Sequence, residues 1–349
     1  MQFDTRTAGL VNDAPDISHL MKQVLVGLSL GIVTLFMFYG WGVLINLVLA
    51  IVFAVSLEAI ALKVRNRPLK PFLNDWSAVV TACLFALTLP PLVSWWVLLV
   101  GLFFAIIVAK HLYGGIGYNP FNPAMVAYAV LIVSLPLQMS QWPGSFIFTG
   151  EWIGLGESLN IVFGAADTDW DAITRATPLD IVRTGLISGQ PYSDIIIEEK
   201  FDFILFSHPM AVVSLAYLLG GVYLIKQGVI SWRIPVSMLL GLAVSALVMW
   251  LIDSDSYASP SFHLLSGAAM LGAFFIATDP VSASTTPKGQ LIYGASIGFF
   301  IYVIRTWGVY PDAVAFAVLI MNMAAPMIDY YTQPKVFGQA NARRQRGRS

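Results

Sequence analysis

The amino-acid sequence predicts an all-α polytopic membrane protein with about ten transmembrane helices. Charged residues make up only 11% of the 349 residues, whereas an ordinary soluble domain carries roughly 25%. Hydrophobic residues make up 57%, and the mean hydropathy is +0.75. A surface that faces hydrocarbon needs almost no charge, so this composition indicates a membrane protein and excludes a soluble enzyme. The net charge of −1 offers no basic surface for nucleic acid.

Apolar runs along the chain predict the individual spans, since a spanning helix needs about 20 predominantly apolar residues. The first two runs are separated only by Gly-Trp-Gly at 40–42, so nine spans is an alternative. The segment before them is mixed and polar, and we expect no cleavable signal peptide there. The predicted spans are 22–39, 41–62, 77–90, 94–110, 120–136, 209–226, 233–252, 262–278, 289–307 and 312–329.

The distribution of Lys and Arg predicts the orientation in a bacterial inner membrane. With the N-terminus inside, fifteen of the 19 basic residues fall on the cytoplasmic side, as the positive-inside rule expects. The other four are Arg175, Arg183, Lys200 and Arg305, of which Arg305 lies in an apolar stretch and could snorkel to the outer surface. The predicted divisions are a cytoplasmic N-terminal segment 1–21, a first membrane repeat 22–136, a periplasmic loop 137–208, a second membrane repeat 209–329 and a basic cytoplasmic tail 330–349.

The two halves of the chain resemble each other. Segment 123–132 matches segment 311–320 at seven of ten positions, and 85–90 resembles 275–280 at nearly the same offset upstream. Chance similarity between apolar helices is the alternative explanation. With five spans in each half, a true repeat would be an inverted 5+5 repeat, an arrangement whose sites lie at broken helices near the repeat interface.

Broken helices are visible in both halves. Segment 114–123 contains three glycines and two prolines, which a regular lipid-facing helix does not accommodate. Asn119 and Asn122 within it supply amide donors and acceptors for a ligand pocket. Segment 278–286 is the corresponding break in the second half. The alternative is an interfacial turn with two capping asparagines.

Other chemistry-bearing residues give weaker indications. We expect no catalytic residue and no metal site, because the sequence contains a single cysteine and no recognisable catalytic or metal-ligand spacing. Four acids near the predicted inner span ends fit an ion path or ordinary interfacial positions equally well. These acids are Glu58, Asp75, Asp279 and Asp329.

The sequence resembles the RnfD/NqrB family, whose members are membrane subunits of Rnf electron-transport complexes and of the related sodium-pumping NADH:quinone oxidoreductase. Within the family it is most similar to the RnfD branch, and the resemblance covers nearly the whole chain. Its most specific stretches are 115–124, 278–286, 310–319 and 329–332.

The resemblance implies a covalent flavin in the loop. The family's flavinylation motif, Asp-x-x-Ser/Thr-Gly-Ala-Thr, falls on Asp171, Thr174, Ala176 and Thr177, with Arg175 in place of the usual glycine. Thr177 would then carry FMN through a phosphoester. Thr174 is the fallback, although its spacing from Asp171 is wrong for the acceptor. A riboflavin held within the membrane helices of the related quinone reductase implies a second flavin near Asn119 and Asn122.

The implied function is electron relay across the membrane, coupled to Na⁺ or H⁺ transport. The ferredoxin and NAD sites would then lie on other subunits of the Rnf complex, and membrane lipid and a flavin-attaching enzyme would be further partners. Two other classes of function stay open at this point. One is an inverted-repeat channel or transporter without a redox role, and the other is a passive scaffold for partner subunits.

Overall fold

The computed structural model describes residues 17–150, 152–165, 169–198 and 208–334, and its regular structure is helical throughout these ranges. Pro143 and Thr174 form an isolated antiparallel bridge. The all-α prediction is therefore confirmed for the described residues. Most of the predicted N-terminal segment and of the basic tail lies outside them.

The first half of the chain begins with two long apolar helices and continues with shorter ones. Gly40, at φ 78°, separates the first two helices, which then pack against each other as two separate elements. Glycine adopts this left-handed backbone without steric cost. The helices are α1 (Ile17–Tyr39), α2 (Trp41–Val64), α3 (Leu69–Leu73), α4 (Ser77–Ala86), α5 (Trp95–Leu102), the π-helix π1 (Phe103–His111), which continues α5, and α6 (Pro123–Ser134).

The described residues of the predicted periplasmic loop form only short helices. None of them reaches the length of about 20 residues that a spanning helix needs. They are α7 (Pro136–Ser140), α8 (Phe146–Thr149), α9 (Leu155–Phe163), α10 (Trp170–Ile173), α11 (Pro178–Ile187) and α12 (Tyr192–Glu198).

The second half contains most of the other long helices. Proline occupies the first turn of α13, α15 and α17, where its missing N–H costs nothing. The helices are α13 (Pro209–Lys226), α14 (Arg233–Ile252), α15 (Pro260–Leu265), α16 (Ala269–Leu271), the π-helix π2 (Gly272–Ile276), α17 (Pro287–Trp307) and α18 (Val314–Thr332).

Five helices among the described residues are long and apolar enough to cross a membrane: α1, α2, α13, α14 and α18. The chain is thus a multi-pass membrane protein. The helix Trp95–His111 and α6 are apolar but shorter. The predicted span 262–278 is divided into α15, α16 and π2, and α4 ends at Ala86, short of the predicted 90. The ten-helix inverted repeat stays a prediction.

The two halves meet where helices that correspond in the predicted repeat pack together, α1 on α13 and α6 on α18. A Cβ added to Gly220 would lie 2.1 Å from the carbonyl oxygen of Gly27. Small residues let membrane helices approach this closely and so increase their van der Waals contact. The core formed at this junction includes Leu28, Leu224, Phe275 and Val318.

Candidate functional site

Thr177 lies at the start of α11, where an extended segment leads out of α10. It is the N-cap of α11, and Pro178 follows at the first helical position; both residue types are favoured there. The Thr177 hydroxyl accepts a hydrogen bond from the backbone N–H of Asp180 at 3.3 Å and donates to Asp180 Oδ2 at 2.6 Å. The hydroxyl is thereby fixed at the helix N-terminus.

The apolar face of α11 anchors it to the second half of the protein. Leu179 and Val182 are buried in a small cluster with Ile195 of α12 and Phe262 of α15. Burial of such a side chain contributes about 1.5–3 kcal/mol to the free energy of folding. Thr177 therefore sits on a helix that packing holds in place.

Thr177 lines a cavity of about 310 Å³, which we call the Thr177 cavity. Its volume is at the lower end of the range for small-molecule sites, roughly 300–1,000 Å³. Leu35, near the C-terminal end of α1, and Thr88, just after α4, line it from the first half. Its aromatic and acidic lining consists of Tyr128, Trp142, Tyr217, Tyr310, Asp180 and Asp312.

The other residues of the predicted flavinylation motif do not line this cavity. Asp171 and Ala176 are exposed to solvent. The hydroxyl of Thr174 donates to the carbonyl oxygen of Trp170 at 2.7 Å. The structure thus distinguishes between the two candidate threonines, because of the two only Thr177 lines the cavity.

Asn119 and Asn122 are buried and line a second cavity of about 140 Å³, which we call the Asn122 cavity. The Asn119 amide donates to the carbonyl oxygen of Phe121 at 3.0 Å within its own turn. Asn122 is the N-cap of α6, and its Oδ1 accepts from the backbone N–H groups of Ala124 and Met125 at 3.0 and 3.3 Å. Both asparagines therefore satisfy backbone groups of the broken segment.

Asn122 also joins the two halves of the protein. Its Nδ2 donates to the carbonyl oxygen of Ile276, the last residue of π2, at 3.3 Å. The amide of Asn322 on α18 lies between the Tyr293 hydroxyl, at 2.6 Å, and the backbone N–H of Asn122, at 3.0 Å; both contacts are hydrogen bonds when the amide oxygen faces Asn122 and its nitrogen faces Tyr293. The two predicted breaks are thus brought together, because Thr278 and Asp279 line the same cavity.

The two cavities lie at opposite ends of α1. Leu20 and Met21 line the Asn122 cavity, and Leu35 lines the Thr177 cavity. A rise of 1.5 Å per residue places Met21 and Leu35 about 21 Å apart along the helix. This separation is comparable to a large part of the roughly 30 Å hydrocarbon core of a bilayer.

A buried ionic cluster beside the Asn122 cavity was not anticipated from the sequence. Lys110 Nζ lies 2.7 Å from Glu58 Oε2 and donates to Ser77 Oγ at 2.8 Å, and His111 Nε2 lies 3.1 Å from Glu58 Oε1. Side chains of Lys110 and Glu58 are 3% and 2% exposed, so Glu58 is not an ordinary interfacial acid. A lone carboxylate inside the apolar run of α2 was the one signal in the sequence, but its partner is 52 positions away.

Arg305 does not snorkel to the surface, so that interpretation of the sequence is wrong. Its side chain is buried, and it donates from Nη1 to the carbonyl oxygen of His263 at 2.7 Å and from Nη2 to that of Ser266 at 3.1 Å. Asp312 Oδ1 lies 3.4 Å from Nη2. Backbone carbonyls and a nearby carboxylate compensate the cost of burying the guanidinium.

The fold and site define a multi-pass membrane protein with a threonine hydroxyl held at the edge of a small-molecule-sized cavity. The model of the NQR2, RnfD, RnfE family matches residues 5–338. The chain belongs to this family.

Similar proteins share most of their length with this chain. A protein of Vibrio cholerae serotype O1 is 50% identical over 329 residues, which cover 91% of this chain and 94% of its own. A protein of Aeromonas hydrophila is 47% identical over 347 residues, covering 96% and 99%, and one of Escherichia fergusonii is 44% identical over 348 residues, covering 97% and 99%. Each of the three is named as a subunit of an ion-translocating oxidoreductase complex.

Proposed function

We propose that this chain is a membrane subunit of an ion-translocating oxidoreductase complex and that it carries FMN covalently on Thr177. The names of the similar proteins support the membership of such a complex. The observation that carries the flavin assignment is the position of Thr177 at the edge of the Thr177 cavity, while Thr174 is engaged with Trp170.

The residues around Thr177 fit a flavin phosphate and ring. A phosphate esterified to Thr177 would lie at the N-terminus of α11, where the helix dipole favours negative charge. The cavity beside it offers the aromatic side chains of Tyr128, Trp142 and Tyr217 to a planar ring. Esterification removes the hydroxyl hydrogen that Thr177 donates to Asp180, so this hydrogen bond is lost on modification.

Exposure of the motif supports a role for a flavin-attaching enzyme as a partner. Asp171, Arg175 and Ala176 are exposed, so an enzyme can read the motif on the folded chain. Leu179 and Val182 meanwhile hold α11 against α15. The chain therefore presents an accessible segment on a rigid support.

Bound FMN supplies electron-transfer chemistry, while the protein sets its position and potential. A covalent bond to Thr177 prevents loss of the carrier between turnovers. We propose that electrons cross the membrane between the Thr177 cavity and the Asn122 cavity, which lie at opposite ends of α1. Their passage drives Na⁺ or H⁺ movement in the complex. The ferredoxin and NAD sites then belong to other subunits.

A riboflavin near Asn119 and Asn122 stays a prediction. The Asn122 cavity, at about 140 Å³, is below the roughly 300–1,000 Å³ range of small-molecule sites. The Asn122 amide also already makes three hydrogen bonds within the protein. A flavin here requires the two breaks to move apart, and extraction of the purified complex followed by flavin identification tests for it.

A denaturing gel viewed under ultraviolet light tests the Thr177 assignment. Co-expressed with a flavin-attaching enzyme, the wild-type chain should give a fluorescent band near 38.1 kDa. Thr177→Ala should abolish the fluorescence, and the matched variant Thr174→Ala should retain it. A dark wild-type band, or a fluorescent Thr177→Ala band, contradicts the proposal; the dark wild-type band would favour a channel or transporter.

The proposed localisation is the inner membrane, with both termini cytoplasmic and the loop 137–208 periplasmic. A reporter that is active only outside the inner membrane should be active when fused near Gly189 and silent when fused at Ser349. The reverse pattern would invert the topology and move Thr177 to the cytoplasmic side.

A further inference from the structure

A third cavity, of about 230 Å³, lies between α11, the start of α15 and the end of α17. We call it the Arg183 cavity. Leu179 and Pro311 line both this cavity and the Thr177 cavity, so the two are adjacent but distinct.

The Arg183 cavity is positively charged. Arg183 and Arg305 both line it, together with the hydroxyl-bearing side chains of Ser256 and Thr306. None of its described lining residues is an aspartate or a glutamate. The one carboxylate close to either guanidinium, among the described residues, is that of Asp312, which lies 3.4 Å from Arg305 Nη2.

Buried donors at this cavity have no partner within the described part of the chain. They are Arg183 Nη1 and Arg305 Nε, and the ring nitrogen Nδ1 of His263 is a further buried polar atom without a partner among the described residues. Arg305 and His263 are each 5% exposed, so these atoms are shielded from solvent. Native proteins rarely bury a polar group without a partner, and a ligand is one way to satisfy it.

Backbone carbonyls hold both guanidiniums in place. Arg183 Nη2 donates to the carbonyl oxygen of Gly308, and Arg305 donates to those of His263 and Ser266. The fixed side chains therefore retain unused N–H donors. A preorganised guanidinium is well suited to recognising a phosphate group.

The charge distribution along the chain points to the same place. Only four basic residues fall on the predicted outer side, and two of them, Arg183 and Arg305, meet at this cavity. A buried arginine in a membrane protein is costly and usually has a specific role. Exposed apolar side chains of Ile187 and Trp307 also line the cavity, so it borders an apolar surface.

We propose that the Arg183 cavity binds a phosphate group, either the headgroup of an anionic phospholipid or free phosphate. The bound phosphate accepts hydrogen bonds from Arg183 and Arg305 and ties α11 to α17. This site does not depend on a flavin at Thr177.

The test measures the thermal unfolding midpoint of the full-length protein with two probes. One arm adds inorganic phosphate to lipid-depleted protein in detergent, and the other compares nanodiscs of phosphatidylcholine with nanodiscs that also contain phosphatidylglycerol. Stabilisation by phosphate alone indicates the free anion, stabilisation by phosphatidylglycerol alone indicates the lipid headgroup, and either result supports the site.

Arg183→Gln should weaken the response by about tenfold in apparent affinity, since it removes a charge-assisted hydrogen bond. The matched control Arg233→Gln, an arginine beside Trp232 away from this cavity, should respond like wild type. If Arg183→Gln does not fold, Thr306→Val, which keeps both arginines, should show a smaller loss of affinity. Equal responses of the wild type and both cavity variants, or no wild-type response to either probe, overturn the proposal.

Discussion

The Thr177 cavity and the Asn122 cavity each contain a threonine from one of the two similar segments 85–90 and 275–280, but the cavities differ in size. Thr88 lines the first and Thr278 the second, and each hydroxyl donates to a carbonyl oxygen of the preceding helix end at 2.7 Å. The first cavity is about 310 Å³ and the second about 140 Å³. Similar helix ends can therefore border cavities of different volume.

The polar groups at the two cavities explain this difference. At the Asn122 cavity, Asn122 caps α6 and contacts Ile276, and Lys110 pairs with Glu58. At the Thr177 cavity the hydroxyl of Thr177 contacts only its own helix turn, through Asp180, among the described contacts. The hydrogen bond from Asn122 to Ile276 joins the two halves, whereas the Lys110–Glu58 pair lies within the first half. The Thr177 hydroxyl takes no part in the junction, so its modification leaves that junction intact.

The largest predicted effect on stability is at the ionic cluster. Lys110→Met leaves the buried Glu58 carboxylate without its ammonium partner, which should lower the free energy of unfolding by about 3–5 kcal/mol. Thermal unfolding of the purified protein measures this loss, and covalent flavin on Thr177 should remain in the folded fraction.

The double variant Glu58→Gln, Lys110→Met provides the control. Because it removes the unpaired charge as well, it should recover part of the lost stability. A double variant less stable than Lys110→Met would show that the cluster does not act through charge pairing.

An intermediate effect is expected at Asn122. Asn122→Ala removes the N-cap of α6 and the hydrogen bond to Ile276, which should cost about 1–2 kcal/mol. Asn119→Ala should cost less, because Asn119 bonds only within its own turn in the described contacts. Chemical denaturation compares the two variants, and an equal loss for both would contradict the tethering role of Asn122.

The smallest stability effect is expected at Asp180. Asp180→Ala removes the acceptor of the Thr177 hydroxyl, and one such hydrogen bond contributes about 0.5–1.5 kcal/mol. Because the hydroxyl is then less well oriented, flavin attachment followed by in-gel fluorescence should become slower. The exposed acid Asp194 on α12 offers a matched control, and Asp194→Ala should label at the wild-type rate. Equal rates for both variants would exclude a positioning role for Asp180.

The presence of the long helices and the positions of the two broken segments, 114–123 and 278–286, could be predicted from the sequence, because both depend on local composition. Hydropathy predicted the bounds of α2, α13, α14, α17 and α18 to within about three residues, whereas α1 begins five residues before its predicted start at 22. The Thr177-Pro178 pair is itself an N-cap signal that the sequence carries.

Contacts between distant positions could not be predicted in the same way. The pairing of Lys110 with Glu58 depends on how α2 packs against π1. Arg305 was misinterpreted for a similar reason, because the carbonyls of His263 and Ser266 reach it from another helix. Cavity volumes likewise depend on side-chain packing, so the sequence did not reveal that the Thr177 cavity is larger than the Asn122 cavity.

Mass spectrometry of the peptide that contains Thr174 and Thr177 tests the central claim most directly. The protein should come from cells that possess a flavin-attaching enzyme, and fragmentation should assign the modified residue. We expect the added mass of FMN on Thr177 and none on Thr174. An unmodified peptide, or FMN on Thr174, would contradict the account.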